Sequence, residues 1–503
     1  MEDRSLPASI NYGATLPQAV PATQTRRKFY PNNGLSFSPG GNTQIRLELS
    51  SPSALLDPKN SYLNFEVVNA EAGGGATFGF ETSPYAFFQR LTIEQGGKVL
   101  CRWDELSRLG CSVLEPAQQG VNGRSFGSLI EGQRGFNSAG AGSNAPEVAP
   151  GALPGATSAG TAFVNLNHNA NNLIPPIAGA PAAVKKFAVP LLGGLFTQEK
   201  MIPLPLLKNG QPLVVTLDLE LAARAVIWSA PPVAAGYEIR NVSYTASMVE
   251  VGRDVIEQFR MVQANMGGSL VISGQDIDHN SDNVPAPGGV GSVGEQIIRC
   301  PSRHKSLKSL FWVAHSDNYA GTNGPLTVAE ATNLTFGGSM NATSYQLKVG
   351  SVVYPPQAVR CPGNTGVAGA KNNRSECAME LAKAFGSLGW SAPTGFLNTT
   401  GYITSLRALE GDGDNGDLAA GPATNVPVGG QVICSSPFGL DLEAFQRTAI
   451  ESGIDSETLA EAVNLVIDIP AAGSGQEDKV VDVWMYFDQH YYIRSDGMID
   501  ISN

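Results

Sequence analysis

Apolar and polar residues alternate along many short stretches of this chain. In residues 43–50 every second residue is aliphatic, and residues 61–69 repeat the alternation after a break rich in Ser, Pro and Asp. A period of two places successive side chains on opposite faces of a β-strand, one face toward a core and the other toward water. Residues 213–221 alternate most strictly. The pattern therefore predicts a chain built mainly from half-buried strands.

Further strand-like stretches follow in both halves of the chain. Residues 90–103 predict a β-hairpin, because Gly96 and Gly97 supply the turn between two strand-like runs. The other predicted strands are residues 185–196, 201–207, 237–251, 269–273, 295–300, 307–315, 344–356, 429–437, 462–470 and 479–493. Many short strands joined by Gly- and Pro-rich turns are typical of an all-β fold and argue against a helical bundle.

Four stretches interrupt the β pattern. In residues 252–265 the apolar residues recur at helical spacing and the run ends before two glycines, which predicts a helix that connects two domains. Residues 375–389 and 441–453 predict two more helices. A short helix is also expected after Asp104, with that side chain as its N-cap.

The length of 503 residues predicts two domains, because a single hydrophobic core rarely grows beyond about 250–300 residues. The pattern divides into an N-terminal arm (1–40), a first β domain (41–251), a helical connector (252–268) and a second β domain (269–503). Residues 138–160 are almost entirely small residues and proline. We interpret them as a surface loop of the first domain, because the strands on either side need each other as partners.

The charge of the chain restricts its partners. A formal net charge of −12 at pH 7 argues against a broad nucleic-acid-binding face, because phosphates would be repelled. The predicted arm differs, since Arg26, Arg27 and Lys28 are consecutive. Two interpretations stay open: a local contact with an acidic partner such as DNA, or a solvated basic turn on a flexible terminus.

The sequence also bears on cellular location. The N-terminal residues lack the apolar segment of a secretory signal, and no run approaches the roughly 18 apolar residues that span a bilayer. We therefore expect that the protein is not secreted through a signal peptide. The cysteines are scattered without a Cys-x-x-Cys pair, and we expect them to be reduced and buried. They are Cys101, Cys111, Cys300, Cys361, Cys377 and Cys434.

A search for catalytic chemistry identifies no site. The chain contains no GxSxG elbow, no GxxxxGK[ST] loop, no HExxH pair and no Cys/His spacing suited to zinc. The sequence therefore predicts no catalytic residue, no cofactor and no metal ligand, and the chain is not expected to be an enzyme or to have a small-molecule substrate.

Three weaker signals each permit a structural and a functional interpretation. Asp412, Asp414 and Asp417 offer clustered oxygens for calcium, but a twelve-residue calcium loop needs Glu where Ala423 stands, and an exposed acidic turn is the alternative.

Two histidines flank a strand-like run and are candidates to meet a carboxylate in the fold, although lone histidines are more often structural. They are His304 and His315. An aromatic cluster near the C-terminus permits a sugar platform, but its spacing is more typical of a core strand. Its members are Trp484, Tyr486, Phe487, Tyr491 and Tyr492.

Several segments resemble those of one known protein family. They lie in both halves of the chain and follow one another in the order that they have in that family. The segment FYPNNGLSFSPGGNTQIRLELSSPSALLDPKNSYLNFEV precedes VPLLGGLF and MIPLPLLKNGQPLVVTLDLE, and YQLKVGSVVYPPQAV precedes DLEAFQRTAIESGID. The first resembles the opening strands of double jelly-roll major capsid proteins of double-stranded DNA viruses, of the virophage, polinton-like and adintovirus-like kind. The next two resemble the F–G region of that family's first jelly roll, and the last two resemble its second.

The resemblance implies both a fold and a function. The fold would be all-β, with two consecutive jelly-roll β-sandwiches and a few short helices. The protein would be a major capsid protein whose homotrimers, pseudo-hexameric in outline, tile an icosahedral shell around double-stranded DNA. Its partners would be neighbouring copies and minor capsid or penton proteins, and it would be made in the cytoplasm or nucleus of a host cell and located in the virion.

Two other functions are compatible with a β-sandwich. A carbohydrate-binding or carbohydrate-active protein would be a monomer with a groove of paired carboxylates, and it would usually carry a secretion signal. A cupin-like metalloenzyme is also a jelly roll, but it needs clustered histidines that the sequence does not place together. The ordered family likeness favours the capsid protein over both.

Overall fold

A computed structural model of the full chain provides the structure. It describes residues 22–70, 78–80, 83–114, 173–174, 184–198, 200–228, 236–265, 268–284, 294–316, 334, 342–361, 375–387, 437–444, 453–457, 463–469 and 479–502.

The described residues before the predicted connector form twelve strands and two short α-helices, besides short 3-10 and π turns. The strands are β1 (Ala22–Phe29), β2 (Ser36–Phe37), β3 (Gln44–Leu49), β4 (Ala54–Asn69), β5 (Phe78–Phe80), β6 (Phe88–Gln95), β7 (Lys98–Trp103), β8 (Leu173–Ile174), β9 (Val184–Val189), β10 (Leu213–Leu219), β11 (Val226–Trp228) and β12 (Tyr237–Val251). The helices are α1 (Leu106–Leu109) and α2 (Ala222–Ala225).

The described residues from the connector onward form two longer helices and nine strands. The helices are α3 (Arg253–Asn265) and α4 (Ser375–Ser387). The strands are β13 (Ser269–Val284), β14 (Gly294–Cys300), β15 (Leu307–Ser316), β16 (Ser344–Val349), β17 (Val352–Arg360), β18 (Phe438–Asp441), β19 (Val463–Ile469), β20 (Lys479–Arg494) and β21 (Ile499–Ser502). None of the helices in the described ranges is long and apolar enough to cross a membrane.

The strands form two pairs of antiparallel sheets. In the first pair, one sheet has the order β1-β12-β4-β9 with β2 beside β12, and the other has the order β3-β10-β6-β7. In the second pair, the orders are β13-β20-β15-β18, with β21 beside β20, and β14-β19-β16-β17. A small sheet, β11-β5-β8, accompanies the first pair. Since no described sheet combines strands from before and after α3, we call the two pairs the first and the second sandwich.

The predicted alternation is present in the strands. Ile45, Leu47 and Leu49 of β3 are buried while their neighbours are exposed, and β3 pairs with β10 in a register that sets Leu217 opposite Ile45. The predicted hairpin over 90–103 is also confirmed, since β6 pairs with β7 around the two glycines. The helix of the connector begins at Arg253, one residue from its predicted start.

Each sandwich has an aromatic centre. In the first, the rings of Phe65 and Phe187 stack with centroids 5.0 Å apart, and Phe88 meets Phe65 edge-on at 5.2 Å. In the second, Trp312 and Phe438 stack with centroids 4.1 Å apart. Offset and edge-on ring pairs of this kind stabilise a core beyond their buried area.

Part of the predicted arm is a strand. Residues 22–29 form β1, which pairs with β12 from Ala22 opposite Val251 to Phe29 opposite Tyr244. The sequence prediction was wrong for these residues because the first seven are exposed, so the strand has no apolar alternation. Backbone hydrogen bonds to β12 define it instead. Residues 1–21 of the predicted arm lie outside the described residues.

The Ser-, Pro- and Asp-rich stretch before residue 61, which was predicted to separate two strands, is part of a strand instead, because β4 begins at Ala54. The register of β4 against β12 shifts between Thr245 and Ser247, which marks a β-bulge. The Ser61 hydroxyl accepts a hydrogen bond from the Ser247 N–H at 2.9 Å and donates to the Asp57 carbonyl at 2.5 Å. The Ser and Asp residues that suggested a turn therefore complete the ladder of one long strand.

Several local predictions differ from the structure. Residues 201–207, predicted as a strand, contain a 3-10 helix at Leu204–Leu206. Helix α1 follows Glu105, which has φ 50° and forms no side-chain cap, whereas Asp104 pairs with Arg90 and Arg102. The predicted helix over 441–453 does not begin at Asp441, because that residue ends β18. The predicted strand over 344–356 is a hairpin of β16 and β17.

Several predictions fall on residues outside the described part of the chain. These are the loop 138–160, most of the strand 429–437, the acidic string 411–417 with Ala423, Cys434, and residues 445–452 of the predicted helix.

Candidate functional site at the junction of the two sandwiches

The two sandwiches meet where β7 lies against β13 and β21. Gln95, at the end of β6, is buried there; its Nε2 donates to the Gly497 carbonyl at 2.8 Å and its Oε1 accepts from the Ile499 N–H at 2.8 Å. Nearby, Lys98 Nζ lies 2.5 Å from Asp500 Oδ1. The side-chain amide of Gln95 thus binds one backbone acceptor and one backbone donor of the second sandwich. These two hydrogen bonds fix how β6 lies against β21.

Glycines allow the backbones to approach closely at this junction. A Cβ atom added to Gly274 of β13 would lie 2.6 Å from the carbonyl oxygen of Gly194. A Cβ added to Gly194 would overlap the Tyr491 hydroxyl and lie 3.0 Å from the Gln275 carbonyl oxygen. Only a residue without a side chain permits this approach.

Asp276 on β13 extends into the first sandwich. Its Oδ1 accepts hydrogen bonds from Trp103 Nε1 and from Cys101 Sγ, the latter at 3.2 Å. The same oxygen accepts a third hydrogen bond, from the Ile277 N–H at 2.9 Å. Burial raises the pKa of Asp276 to about 7, because these neutral donors only partly replace the lost hydration.

Asp482 on β20 is buried at the same junction, where it contacts two histidines and an arginine. His279 Nε2 lies 3.0 Å from its Oδ1, and His315 Nε2 lies 3.0 Å from its Oδ2. Arg108, fully buried in α1 of the first sandwich, places Nε 3.1 Å from Oδ2. Burial alone would raise the pKa of Asp482, but the hydrogen bonds from both histidines and the charge of Arg108 hold it well below its ordinary value.

A second ion cluster adjoins Arg108. Arg224 of α2 places Nη2 2.5 Å from Glu105 Oε2 and Nη1 3.4 Å from Glu220 Oε1. Ser107 Oγ donates to Glu220 Oε2 at 2.5 Å. Burial raises the pKa of Glu220, and the Arg224 charge opposes that rise. The two carboxylates around Arg224 therefore hold α2 against the start of α1.

These clusters line a cleft of about 510 Å³ between the sandwiches. Its walls include Arg90, Asp104, Glu105, Arg108, Arg224, His279, His315 and Asp482. The carboxylates in this wall each lie against a cation or an imidazole, as the preceding distances show. Within the described residues, no group of three or more His, Cys, Asp or Glu side chains is arranged to hold a metal ion. The ion pair of Arg108 with Asp482 therefore connects the two sandwiches across this cleft.

The predicted basic residues do not form one patch. Arg26, Arg27 and Lys28 are exposed on β1, where consecutive side chains point to opposite faces. The guanidinium of Arg26 lies 5.5 Å from the Tyr62 ring centroid, and that of Arg27 lies 4.8 Å from the Phe29 ring centroid. Each arginine therefore packs on an aromatic ring of its own sheet.

The predicted histidine contacts are confirmed. His304 Nε2 lies 2.6 Å from Asp278 Oδ2, and His315 contacts Asp482 as described above. The aromatic cluster near the C-terminus is a core strand, because Trp484, Phe487 and Tyr491 are buried. The five cysteines that the structure describes are buried, as predicted.

Sequence reasoning missed the main polar residues of the junction. Asp482 stands in the apolar run VVDVWMYF and Arg108 in the run LSRLGCSVL. A charge within a buried run needs a partner, so these two residues carried a signal that a search for catalytic motifs overlooks. Nothing in the sequence pairs them with each other, since they are far apart in the chain.

No protein-family model matches the chain, and no curated protein matches it in sequence. Solved structures do match it in fold. One is VP54 of the virus PBCV-1, fitted into a reconstruction of the virophage Sputnik, with 10% identity, a TM-score of 0.55, and coverage of 98% of this chain and 99% of that chain. The PBCV-1 virus capsid matches with 9% identity, a TM-score of 0.52, and coverage of 98% and 100%. The Faustovirus major capsid protein matches with 10% identity, a TM-score of 0.50, and coverage of 95% and 91%.

The likeness extends over nearly the full length of this chain and of the matched chains. The chain therefore has the double jelly-roll fold: it is all-β, with two consecutive jelly-roll sandwiches and a few helices. The fold predicted from the sequence is confirmed. An identity of 9–10% shows the fold alone.

Proposed function

We propose that this chain is a major capsid protein that assembles into trimeric, pseudo-hexameric capsomers, and that these tile an icosahedral shell around double-stranded DNA. The observation that carries the proposal is the end-to-end match of both sandwiches to proteins named as a major capsid protein and a virus capsid. A match of one sandwich alone would support only a generic jelly roll.

The junction supports a role as a building block. A shell subunit with two sandwiches must hold them in one relative orientation, because a hinge between them would let its contacts with neighbouring subunits vary. Here Gln95, the close approach at Gly274 and the buried Asp482 cluster each fix that orientation. A cleft lined by paired charges is a rigid joint, and we infer that the chain acts through its surfaces without catalysis.

The proposed partners are further copies of this chain, together with minor capsid or penton proteins, and the proposed location is the virion. Contact of Arg26, Arg27 and Lys28 with packaged DNA belongs to the same proposal. The exposure of these side chains on an edge strand supports such a contact, and their alternation between two faces limits it to local points.

The burial of Trp484 and Tyr491 removes the aromatic platform that a carbohydrate-binding protein would need.

Negative-stain imaging of the purified full chain at increasing concentration tests the proposal. We expect particles with a hexagonal outline that associate into flat arrays or closed shells. Small, featureless particles at every concentration, together with specific retention on a glycan array, would contradict the proposal and favour the carbohydrate-binding alternative.

A further inference from the structure

Lys308 lies at the centre of a buried polar cluster inside the second sandwich. It belongs to β15, the strand between β20 and β18, and the register between β15 and β20 shifts at this residue. Such a bulge turns a side chain away from the regular pleat. Lys308 is 5% exposed, and its Nζ lies 3.1 Å from Asp488 Oδ1 on β20 and 3.2 Å from Glu443 Oε1, just after β18.

The cluster contains one more carboxyl group than it has cations. The side chain of Glu443 is 2% exposed, and its Oε2 has no hydrogen-bond partner among the described residues. One lysine cannot neutralise both Glu443 and Asp488, and a buried unpaired charge is costly. Burial raises the pKa of Glu443 even though Lys308 opposes that rise. Glu443 therefore has a higher affinity for a proton than a solvent-exposed glutamate has.

The remaining contacts distinguish the two carboxyl groups. Asp488 Oδ2 accepts a hydrogen bond from Ser306 Oγ at 2.7 Å, and the Asp488 backbone N–H donates to the Ser306 carbonyl at 3.1 Å. A hydroxyl donor at one oxygen polarises the carboxyl carbon of Asp488 toward a nucleophile at the other side. Among the described residues, no hydroxyl donates to Glu443, which is therefore placed to carry protons.

We propose that Lys308 and Asp488 form an intramolecular isopeptide bond, with Glu443 as the proton carrier. Lys308 Nζ attacks Cγ of Asp488, a new N–C bond forms, and the bond from Cγ to Oδ1 breaks. Of the three protons of the ammonium group, one stays on the amide nitrogen and two leave with Oδ1 as water. Glu443 transfers these protons in turn and ends in its initial protonation state. The retained Oδ2 becomes the amide oxygen held by Ser306.

Proton transfer must come first in this reaction. Burial lowers the pKa of Lys308, but the charges of Asp488 and Glu443 raise it by more, so the resting form is the ammonium. A neutral amine appears only when Glu443 takes a proton from Nζ, which the distance of 3.2 Å permits. The holding of both reactants in one buried site supplies the high effective concentration that an unactivated carboxyl requires.

The bond would join two neighbouring strands that are far apart in the chain. It would close a long loop between β15 and β20, and such a covalent closure restricts the unfolded chain. The second sandwich would then resist forced or thermal unfolding more than the first sandwich. This inference does not depend on assembly, because the cluster lies within one chain.

Intact-mass spectrometry of the purified full chain tests the inference. We expect the wild-type chain, compared with Lys308→Arg and corrected for that substitution, to be lighter by one water molecule. Glu443→Gln is expected to retain the full mass or to lose the water much more slowly. Digestion with trypsin should yield a branched peptide that joins Lys308 to Asp488 and is absent from Lys308→Arg.

A matched control uses Lys305, which forms a longer and exposed ion pair with Glu457 at 3.8 Å. Lys305→Arg should keep the loss of water. A wild-type chain at its full sequence mass after prolonged incubation would overturn the inference, and the cluster would then be a buried ion pair only. A loss of water located at any other residue by tandem mass spectrometry would overturn it equally.

Discussion

Asp276 and Asp482 lie on neighbouring regions of the junction and are similarly buried, at 5% and 2% exposure, yet their pKa values shift in opposite directions. Asp276 is held by an indole, a thiol and a backbone N–H, and burial raises its pKa to about 7. Asp482 is held by Arg108 and two histidines, and its pKa falls well below the ordinary value. The comparison teaches that the partners of a buried carboxylate decide whether it stabilises the folded state at neutral pH: here two histidines and an arginine lower the pKa, whereas three neutral donors do not offset burial.

The largest expected effect comes from removing the charge of Asp482. Asp482→Asn leaves the buried guanidinium of Arg108 without its carboxylate, so we expect the free energy of unfolding to fall by about 3–5 kcal/mol. Chemical denaturation at pH 7 measures the change. Because the folded pKa of Asp482 is depressed, the wild-type contribution is present above the unfolded pKa and is lost only as pH falls through the folded value, so it should persist at pH 5.

Asp500→Asn is the matched control for that experiment. Asp500 pairs with Lys98 across the same junction and with Arg494 of its own sandwich. All three side chains are partly exposed, and ion pairs of this kind contribute about 1 kcal/mol or less each. Equal losses in the two variants would contradict the claim that burial of the ion pair sets Asp482 apart.

The next effect tests the close backbone approach. Gly274→Ala places a methyl group 2.6 Å from the Gly194 carbonyl oxygen, so the sandwiches must separate slightly, and we expect a loss of about 2 kcal/mol. Thermal unfolding of the full chain measures it. Gly252→Ala serves as the control, because a Cβ there meets no atom within 4 Å. If Gly274→Ala is as stable as Gly252→Ala, then the junction is looser than the structure indicates.

Asp276 should respond in the opposite direction to Asp482. Its folded pKa of about 7 exceeds the ordinary value of 3.8, so the wild type loses stability as pH rises from the lower value to the higher one. Asp276→Asn keeps an acceptor for Trp103 without the ionisation cost. We expect it to stabilise the protein by about 2 kcal/mol at pH 8 and to have little effect near pH 4. A destabilisation that is the same at both pH values would refute this assignment.

The smallest effect is expected on the exposed strand β1. Replacing Arg26, Arg27 and Lys28 together with Gln should change the free energy of unfolding by about 0.5 kcal/mol or less, because all three side chains are exposed. Retention of double-stranded DNA at low salt, measured for both proteins, tests the proposed contact. An unchanged retention would remove these residues as a DNA contact.

The sequence predicted the fold where one face of a strand is buried. Alternation identified β3 and β10, and it gave β12 its bounds. It missed β1, because a strand exposed on both faces has no apolar period and depends on its pairing with β12. It also took the bulged start of β4 for a turn, since the local preference of Ser and Asp for turns was overridden by tertiary pairing.

The junction could be predicted only in part. The histidine contact with a carboxylate was expected for His315, but its partner Asp482 could not be named without the pairing of β15 with β20. Arg108 reaches that carboxylate from the other sandwich, through a packing of two domains that no short-range pattern encodes. Polar residues inside apolar runs were the available signal, and they identify which residues need partners but not which partners they find.

Light scattering of the purified full chain tests the central claim most directly, because a capsomer of the proposed kind contains three copies. The account predicts a stable species with a mass of about three times 52.7 kDa. A single species of 52.7 kDa that persists as the protein is concentrated would contradict it, even if every prediction about the junction held.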